Sequence, residues 1–401
     1  MQCYLPWFCL RSVPGLGNIM YKRLIKRFGS PEKVLSAHVH DLKQVQGMGK
    51  RVIEGIGRSR ITGEMIQEIA LIHKKGFSIA AFTDEIYPVL LREIPDPPPL
   101  FTYLGTLNPH APVIAIVGSR QATAYGLSTS CSLAHDISLK GFEVISGMAL
   151  GIDTAAHEGA LQARGRTVAV LGSGLGVIYP RENRRLFYKI ADNGAVISEF
   201  PVHAVPHAGH FPRRNRIIAG MATGTVVVEA AERSGSLITA RLAAEYGREV
   251  FAVPGNVSSI NSAGTHALLK QGAKLVENRE DIIDELHHMV HETSTVEKNV
   301  KGPGAKLPGR PMVSTEPGDL FTHPLNEPDS PARRHKGTME MDRNNPSYNE
   351  ILTMLEESSP VHIDAIIEIS QFSAAEVTSA LLDLELSGAV KQLPGKMFCR
   401  I

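Results

Sequence analysis

Cysteine is scarce in this chain and scattered. Cys3, Cys9, Cys131 and Cys399 form no CxxC pair. That excludes a disulfide framework and a structural zinc site, and fits a reducing compartment. Long apolar runs are missing too. No stretch reaches the roughly 18 residues that a membrane-spanning helix needs. The opening MQCYLPWFCLR lacks the basic start and extended apolar core of a signal peptide. The expected location is therefore the cytoplasm, with no membrane contact. A complete dinucleotide fingerprint is absent as well. Gly172-Ser173-Gly174-Leu175-Gly176 has the wrong spacing, which argues against NAD, and no cofactor is expected.

Net charge is also near zero, at +1, but it is unevenly divided. Residues 1–80 carry 13 Lys/Arg against 5 Asp/Glu, residues 81–290 carry 18 against 20, and residues 346–401 carry 3 against 8. The front is basic and the tail acidic. The middle segment holds 14 Arg and only 4 Lys. Arginine presents a planar fork that suits phosphate oxygens and flat rings, so this bias points to recognition.

Four regions follow. Residues 1–80 are predicted helical, with two similar turns, Val13-Pro14-Gly15-Leu16-Gly17 and Val45-Gln46-Gly47-Met48-Gly49, each leading into a basic helix. This is a helix-hairpin-helix (SAM-like) pattern. It is compatible with phosphate contact through the glycine backbone and equally with a purely structural helical hairpin. Residues 81–110 form a proline-rich connector that opens the second region, 81–290.

From residue 111 apolar β-branched runs alternate with helical patterns. The runs are 113–117, 143–145, 167–171, 195–197, 225–228 and 250–253, and helices are expected at 127–140, 153–163, 184–191, 213–221 and 237–246. Such alternation predicts an α/β fold with a Rossmann-like parallel sheet. Residues 291–345 are polar, rich in Pro and Gly and aperiodic, as in a flexible linker. Residues 346–401 match a winged-helix domain with helices at 349–357, 363–369 and 374–386 and a hairpin wing at 388–398. The third helix carries Glu376, Asp383 and Glu385 and no basic residue, so it is expected to meet protein, or a basic surface of its own chain, rather than DNA.

Ligands of open α/β sheets bind beyond the carboxyl ends of the strands. Here those ends carry Gly118-Ser119-Arg120, the 146–153 loop, the 172–176 loop and Ser234-Gly235-Ser236. The segment HFPRRNRIIAG crowds Arg213, Arg214 and Arg216 into the start of a helix. That end is already partly positive, so the crowding costs energy unless an anion sits among them. Arg120, Arg181, Arg184, Arg214 and Arg216 are expected to build a positive pocket with Gly118, Ser119, Asn215, Ser234, Gly235 and Ser236.

Asp153 and His157, four apart on a helix, could act as an acid/base pair. The plainer reading makes the aspartate a helix cap and the histidine structural, or a binder of polar ligand atoms. His203, His207 and His210 lie in a loop without fixed spacing, so no metal is expected.

The motifs VGSR followed by AT-x-YG, SGMALGIDTAAH (146–157), LGSGLGVIYP (171–180), FPRRNRIIAG (211–220), SGSLITA (234–240) and REVFAVPG (248–255) together resemble the DNA-processing protein A family, also called DprA or Smf. The resemblance implies a non-enzymatic binder of single-stranded DNA that loads RecA during natural transformation and helps displace single-strand-binding protein. It also implies a homodimer formed through the Rossmann-like domain. The family's pocket maps to Gly118, Ser119, Arg120, Arg181, Arg214, Asn215 and Arg216. Some members carry an aromatic residue where this chain has Arg184. The rival reading is a nucleotide-binding or nucleotide N-glycosidase-like Rossmann enzyme using Glu229 and Arg233.

Overall fold

A computed structural model describes residues 2–286, 346–355, 361–370 and, in part, 372–400. The chain divides into two compact units, Met1–Ala305 and Lys306–Ile401. The expected linker at 291–345 lies outside the described residues.

The first unit is built on a nine-stranded sheet. Its strands are β1 (Ser78–Ala81), β2 (Leu100–Gly105), β3 (Val113–Gly118), β4 (Glu143–Ser146), β5 (Thr167–Val170), β6 (Ala195–Ser198), β7 (Gly224–Val228), β8 (Glu249–Ala252) and β9 (Lys274–Leu275). Their spatial order is β1-β2-β6-β5-β4-β3-β7-β8-β9. The strands from β6 to β9 pair in parallel, while β2 runs antiparallel to both β1 and β6. The parallel strands are apolar and β-branched because helices cover both faces. Ile114, Ile116, Val144, Val168, Val196, Val226 and Val228 are all buried. Each such side chain contributes roughly 1.5–3 kcal/mol by leaving water.

The parallel core follows the sequence pattern closely. Strands and helices between 113 and 252 begin and end within three residues of the expected positions, the helices being Ala124–Leu139, Ile152–Gln162, Arg184–Asn193, His210–Met221 and Ser236–Glu245. The helix His210–Met221 starts three residues earlier than expected, which puts Pro212 in the third helical position. That is still inside the first turn, where its missing N–H costs nothing.

The proline-rich connector is part of the sheet. β2 follows directly on Pro97-Pro98-Pro99, whose fixed backbone leads into extended chain, and the Tyr87 hydroxyl donates to the Pro98 carbonyl at 2.8 Å. β1 begins at Ser78, inside the stretch whose pattern had suggested only helices.

The N-terminal helices do form two similar hairpins. Gly15 and Gly47 take positive φ (+84° and +82°), and Gly17 and Gly49 each cap the helix that follows, Asn18–Phe28 and Lys50–Arg58. A Cβ on Gly47 would sit 3.3 Å from Met20 and Arg23, and one on Gly15 would sit 3.6 Å from Val52, so each turn leans on the other's helix. Their core runs without a break from Trp7 and Tyr21 through Phe101 to Ile197 of the sheet.

The second unit has helices Pro346–Met354 and Ile363–Ile369, then an antiparallel hairpin of Val390–Leu393 and Met397–Arg400, with Val361–His362 pairing as a third strand. Val377, Ala380, Leu381 and Leu384 recur at helical spacing and are buried with Ile351, Ile366, Val390 and Phe398. This is a winged-helix arrangement. Glu376 and Asp383 lie outside the described residues.

Candidate nucleic-acid interface

Chain direction across the sheet reverses at β3, whose neighbours are β4 on one side and β7 on the other. A crevice of about 730 Å³ opens there, beyond the carboxyl ends of β3 and β7. Register places Gly118 opposite Val228, so the two strands end level. Gly118 has no alternative, because a Cβ there would lie 1.9 Å from the Val228 carbonyl oxygen. The loop that follows is pinned where Ile152 N–H donates to the Ser119 carbonyl at 3.1 Å. Arg120 therefore projects outward, exposed, with its guanidinium centred 5.0 Å above the Phe211 ring.

The helix His210–Met221 supplies one wall. Phe211, Arg214, Asn215 and Ile218, at i, i+3, i+4 and i+7, all line the crevice. Arg214 is buried. It donates to the Val170 carbonyl and, at 3.1 Å, to Asn215 Oδ1. Asp153, also buried, converges with it over Gly147, where a Cβ would lie 2.3 Å from the carboxylate and 2.5 Å from the guanidinium. Burial pushes the Arg214 guanidinium down to about 10, the Asp153 charge opposes that shift, and Arg120 adds to it. Burial likewise raises Asp153 above the usual carboxylate range, against the pull of Arg214. An anion entering here would gain from two arginines while displacing little water from Arg214.

The opposite wall is the turn into helix Ser236–Glu245. Arg233, Ser234, Gly235 and Ser236 face the crevice. The Ser236 N–H donates to Ser234 Oγ at 3.4 Å, and Asn215 Nδ2 donates to the Gly235 carbonyl at 3.3 Å, which ties the two walls together.

Other residues singled out from sequence sit elsewhere. Arg216 points away from the crevice, into a buried ion pair with Glu199 and a contact with Asp96 at 3.4 Å. Arg213 reaches the same Glu199 carboxylate at 3.3 Å. The anion that the crowded arginines require is thus a side chain of this protein. Arg181 and Arg184 are exposed, in the short turn Arg181–Asn183 and at the start of the helix Arg184–Asn193, and neither lines the crevice.

Asp153 is not the cap of its helix. Gly151 holds that position, and Asp153 accepts from Ala149 N–H at 3.3 Å. His157 is fully buried. Its Nε2 donates to the Gly147 carbonyl at 2.6 Å and its Nδ1 meets the Thr167 hydroxyl at 2.7 Å. A carbonyl only accepts, so Nε2 carries the proton. Burial holds this imidazole down at about 4, and the neutral ring braces the loop beneath Arg214. Glu229, at φ +54°, spends its carboxylate on the backbone N–H (2.9 Å) and hydroxyl of Thr123, outside the crevice, so it does not meet Arg233 across the site. His210 stacks on Phe200 at 4.1 Å and donates to the Gly172 carbonyl at 3.1 Å.

Phe211 and Tyr179 were not anticipated as site residues. The signal for Phe211 was its position three residues before Arg214, on the same helix face. Tyr179 had none in the sequence beyond its place in the Gly-rich 171–180 motif.

The family model described as DNA recombination-mediator protein A matches residues 78–287, and the DprA winged helix domain matches 339–396. Protein Smf of Synechocystis is 34% identical over 405 residues, covering 98% of each chain. The DNA processing protein DprA of Streptococcus pneumoniae is 44% identical over 210 residues, 52% of this chain and 74% of that one. The X-ray structure of DprA from S. pneumoniae aligns with a TM-score of 0.62 at 35% identity, covering 70% of this chain and 97% of that one. A parallel sheet with its crevice at the β3/β7 reversal, a winged-helix unit later in the chain, and matches across both place this chain in the DNA recombination-mediator protein A (DprA/Smf) family.

Proposed function

We propose that the crevice holds single-stranded DNA by its phosphates. In this reading the chain is a recombination mediator that protects incoming single strands and loads RecA onto them during natural transformation, in the cytoplasm and without catalysis. The observation that carries the reading is the convergence of Arg120 and Arg214 with two small-residue turns, Gly118-Ser119 and Ser234-Gly235-Ser236, around one narrow crevice. Small residues let a sugar–phosphate chain approach the backbone, and the arginines neutralise it. A flexible strand can bend into such a crevice, whereas a duplex is stiff over about 150 base pairs.

Gly118, Ser119, Arg120, Arg214, Asn215, Ser234, Gly235 and Ser236 contact the strand. The exposed Arg181 and Arg184 extend its path, and Arg216 supports the helix from behind. No cofactor or metal is called for. Commitment of Glu229 to Thr123 argues against the glycosidase-like alternative.

RecA, single-strand-binding protein and a second copy of the chain are the partners of this reading. The 265–272 region is a candidate dimer surface. It lies beside the edge strand β9, whose two residues are exposed, and close to the exposed apolar side chains of Val257 and Ile260.

The test is a binding titration with matched single- and double-stranded DNA on the wild type and on Arg120→Ala. Strong preference for the single strand, lost in the variant, is the expected result. Equal duplex binding that the variant keeps would move the DNA site to the basic N-terminal hairpins.

A further inference from the structure

Asp153 is an acid on the wall of a crevice that otherwise suits anions. It lies in the first turn of the helix Ile152–Gln162 and is only 7% exposed. Among the described residues it is the only acid lining the crevice, against Arg120, Arg214 and Arg233. Its carboxylate and the Arg214 guanidinium reach the same point above Gly147, yet neither bonds the other directly. Asp153 accepts from Ala149 N–H, while Arg214 donates from Nη1 to the Val170 carbonyl and from Nε to Asn215 Oδ1. Arg214 Nη2 has no protein acceptor among the described residues, so it is the donor left for a ligand oxygen. The groups that face Asp153 are Arg214, Arg120 from the loop after β3, and the Ser146 hydroxyl of β4. His157, one turn further along the same helix, is neutral and bonded to the Gly147 carbonyl.

We propose that the crevice binds a phosphate and a proton together, and that Asp153 takes the proton. This rests on the reading of the crevice as a holder of single-stranded DNA. A phosphate oxygen on Arg214 Nη2 stands beside the Asp153 carboxylate. Two anions then share one buried guanidinium, where little water screens them, and one must give up its charge. The phosphodiester is much the stronger acid and keeps its charge. Asp153 takes a proton from solvent and becomes a neutral carboxylic acid, able to donate to the oxygen it had repelled. Burial already holds this carboxyl above the usual carboxylate range, and the Arg214 and Arg120 charges restrain it. A phosphate that engages both arginines weakens that restraint. The free crevice holds the ionised carboxylate and the occupied crevice the protonated one. Affinity therefore falls as pH rises, by at most about tenfold per unit for one proton.

The experiment titrates a short oligothymidylate, at constant ionic strength, against the wild type and Asp153→Asn from about pH 6 to about pH 8. The wild type should bind about fivefold or more tightly at the acid end. Asp153→Asn carries no charge at any pH and still accepts from Ala149 N–H. It should lose most of the pH dependence and bind at the alkaline end at least as tightly as the wild type. Two measurements on the wild type alone keep the test open should Asp153→Asn not fold. Calorimetry in buffers of different protonation heat should find protons taken up on binding, about one per crevice at most. An infrared difference spectrum should gain the carbonyl band of a protonated carboxylic acid. If wild-type binding takes up no proton and brings no such band, or if the pH dependence persists unchanged in Asp153→Asn, the role of Asp153 is wrong while the phosphate crevice stands. If the wild type binds no single strand at any pH, or if Arg120→Ala binds as well as the wild type, the crevice reading falls and this one with it.

Discussion

The carboxylate of Glu199 and the guanidinium of Arg216 form a buried ion pair behind the crevice, their side chains only 2% and 6% exposed. Glu199 also receives Arg213 at 3.3 Å. Three arginines on one helix start are tolerable because two of them share this anion, and Arg214 is left to line the crevice beside Asp153.

The pair should therefore matter for stability more than for binding. Glu199→Gln leaves a buried cation without its partner and should destabilise the first unit by about 3–5 kcal/mol. Urea unfolding measures it. Arg216→Ala should unfold at similarly low denaturant, yet its folded fraction should bind single-stranded DNA within about threefold of wild type, a margin of under 1 kcal/mol. A large affinity loss in a fully folded Arg216→Ala protein would show that Arg216 touches the strand after all.

Arg120 is exposed and bonded to no carboxylate among the described residues, so its replacement should act on binding alone. Arg120→Ala should weaken single-strand binding and reduce the slope of log K against log salt by about 0.7, one phosphate contact on a single strand. The loss should be alike for strands of different sequence. Arg120→Lys should restore the slope and less of the affinity, because a lysine carries the charge without the planar fork.

Two glycines at the crevice should respond oppositely to alanine. At Gly118 the new Cβ meets backbone at 1.9 Å, and the strand end must shift. Gly118→Ala should lose roughly 1–3 kcal/mol or more and distort the Arg120 loop. At Gly235 nothing lies within 4 Å of the added atom, and φ is −63°. Gly235→Ala should be neutral or gain about 0.4–1 kcal/mol by restricting the unfolded chain. Thermal melts of the two variants side by side decide this.

His157 should make stability fall with acid. Its folded value is about 4, below the ordinary 6.5, through burial first and the Arg214 charge second, opposed by the bond to the Gly147 carbonyl. The unfolded chain therefore binds the extra proton first. Stability from this group is complete above pH 6.5 and declines as pH drops from 6.5 to about 4, by about 3 kcal/mol in total. Denaturation at pH 5 and pH 7 on wild type and His157→Gln should show a smaller pH difference in the variant.

The alternating core was legible because parallel strands buried on both faces keep an unbroken β-branched run, as in Val113–Val117 and Thr225–Val228. The amphipathic helices between them carry a 3.6-residue period. β1 and β2 were not legible. β1 is a four-residue edge strand, which needs no long apolar run, and β2, paired with both β1 and β6, is hidden by the prolines Pro97-Pro98-Pro99 that lead into it.

The crevice was legible in part. Gly118, Ser119, Arg120, Arg214, Asn215 and Ser234 to Ser236 could be gathered because they follow strand ends or open helices, where an open α/β sheet places its ligands. The helical period of residues 210–221 also separates Phe211, Arg214, Asn215 and Ile218 from Arg213 and Arg216. Period alone does not say which of those faces is turned to the crevice. That depends on Glu199, at the end of β6, reaching the back of this helix. Local chemistry is written along the chain, so the amino-acid order was sufficient for the elements and for the polar turns at their ends. Which arginines the fold consumes and which line the crevice depends on which of them reach Glu199, and packing alone brings those groups together.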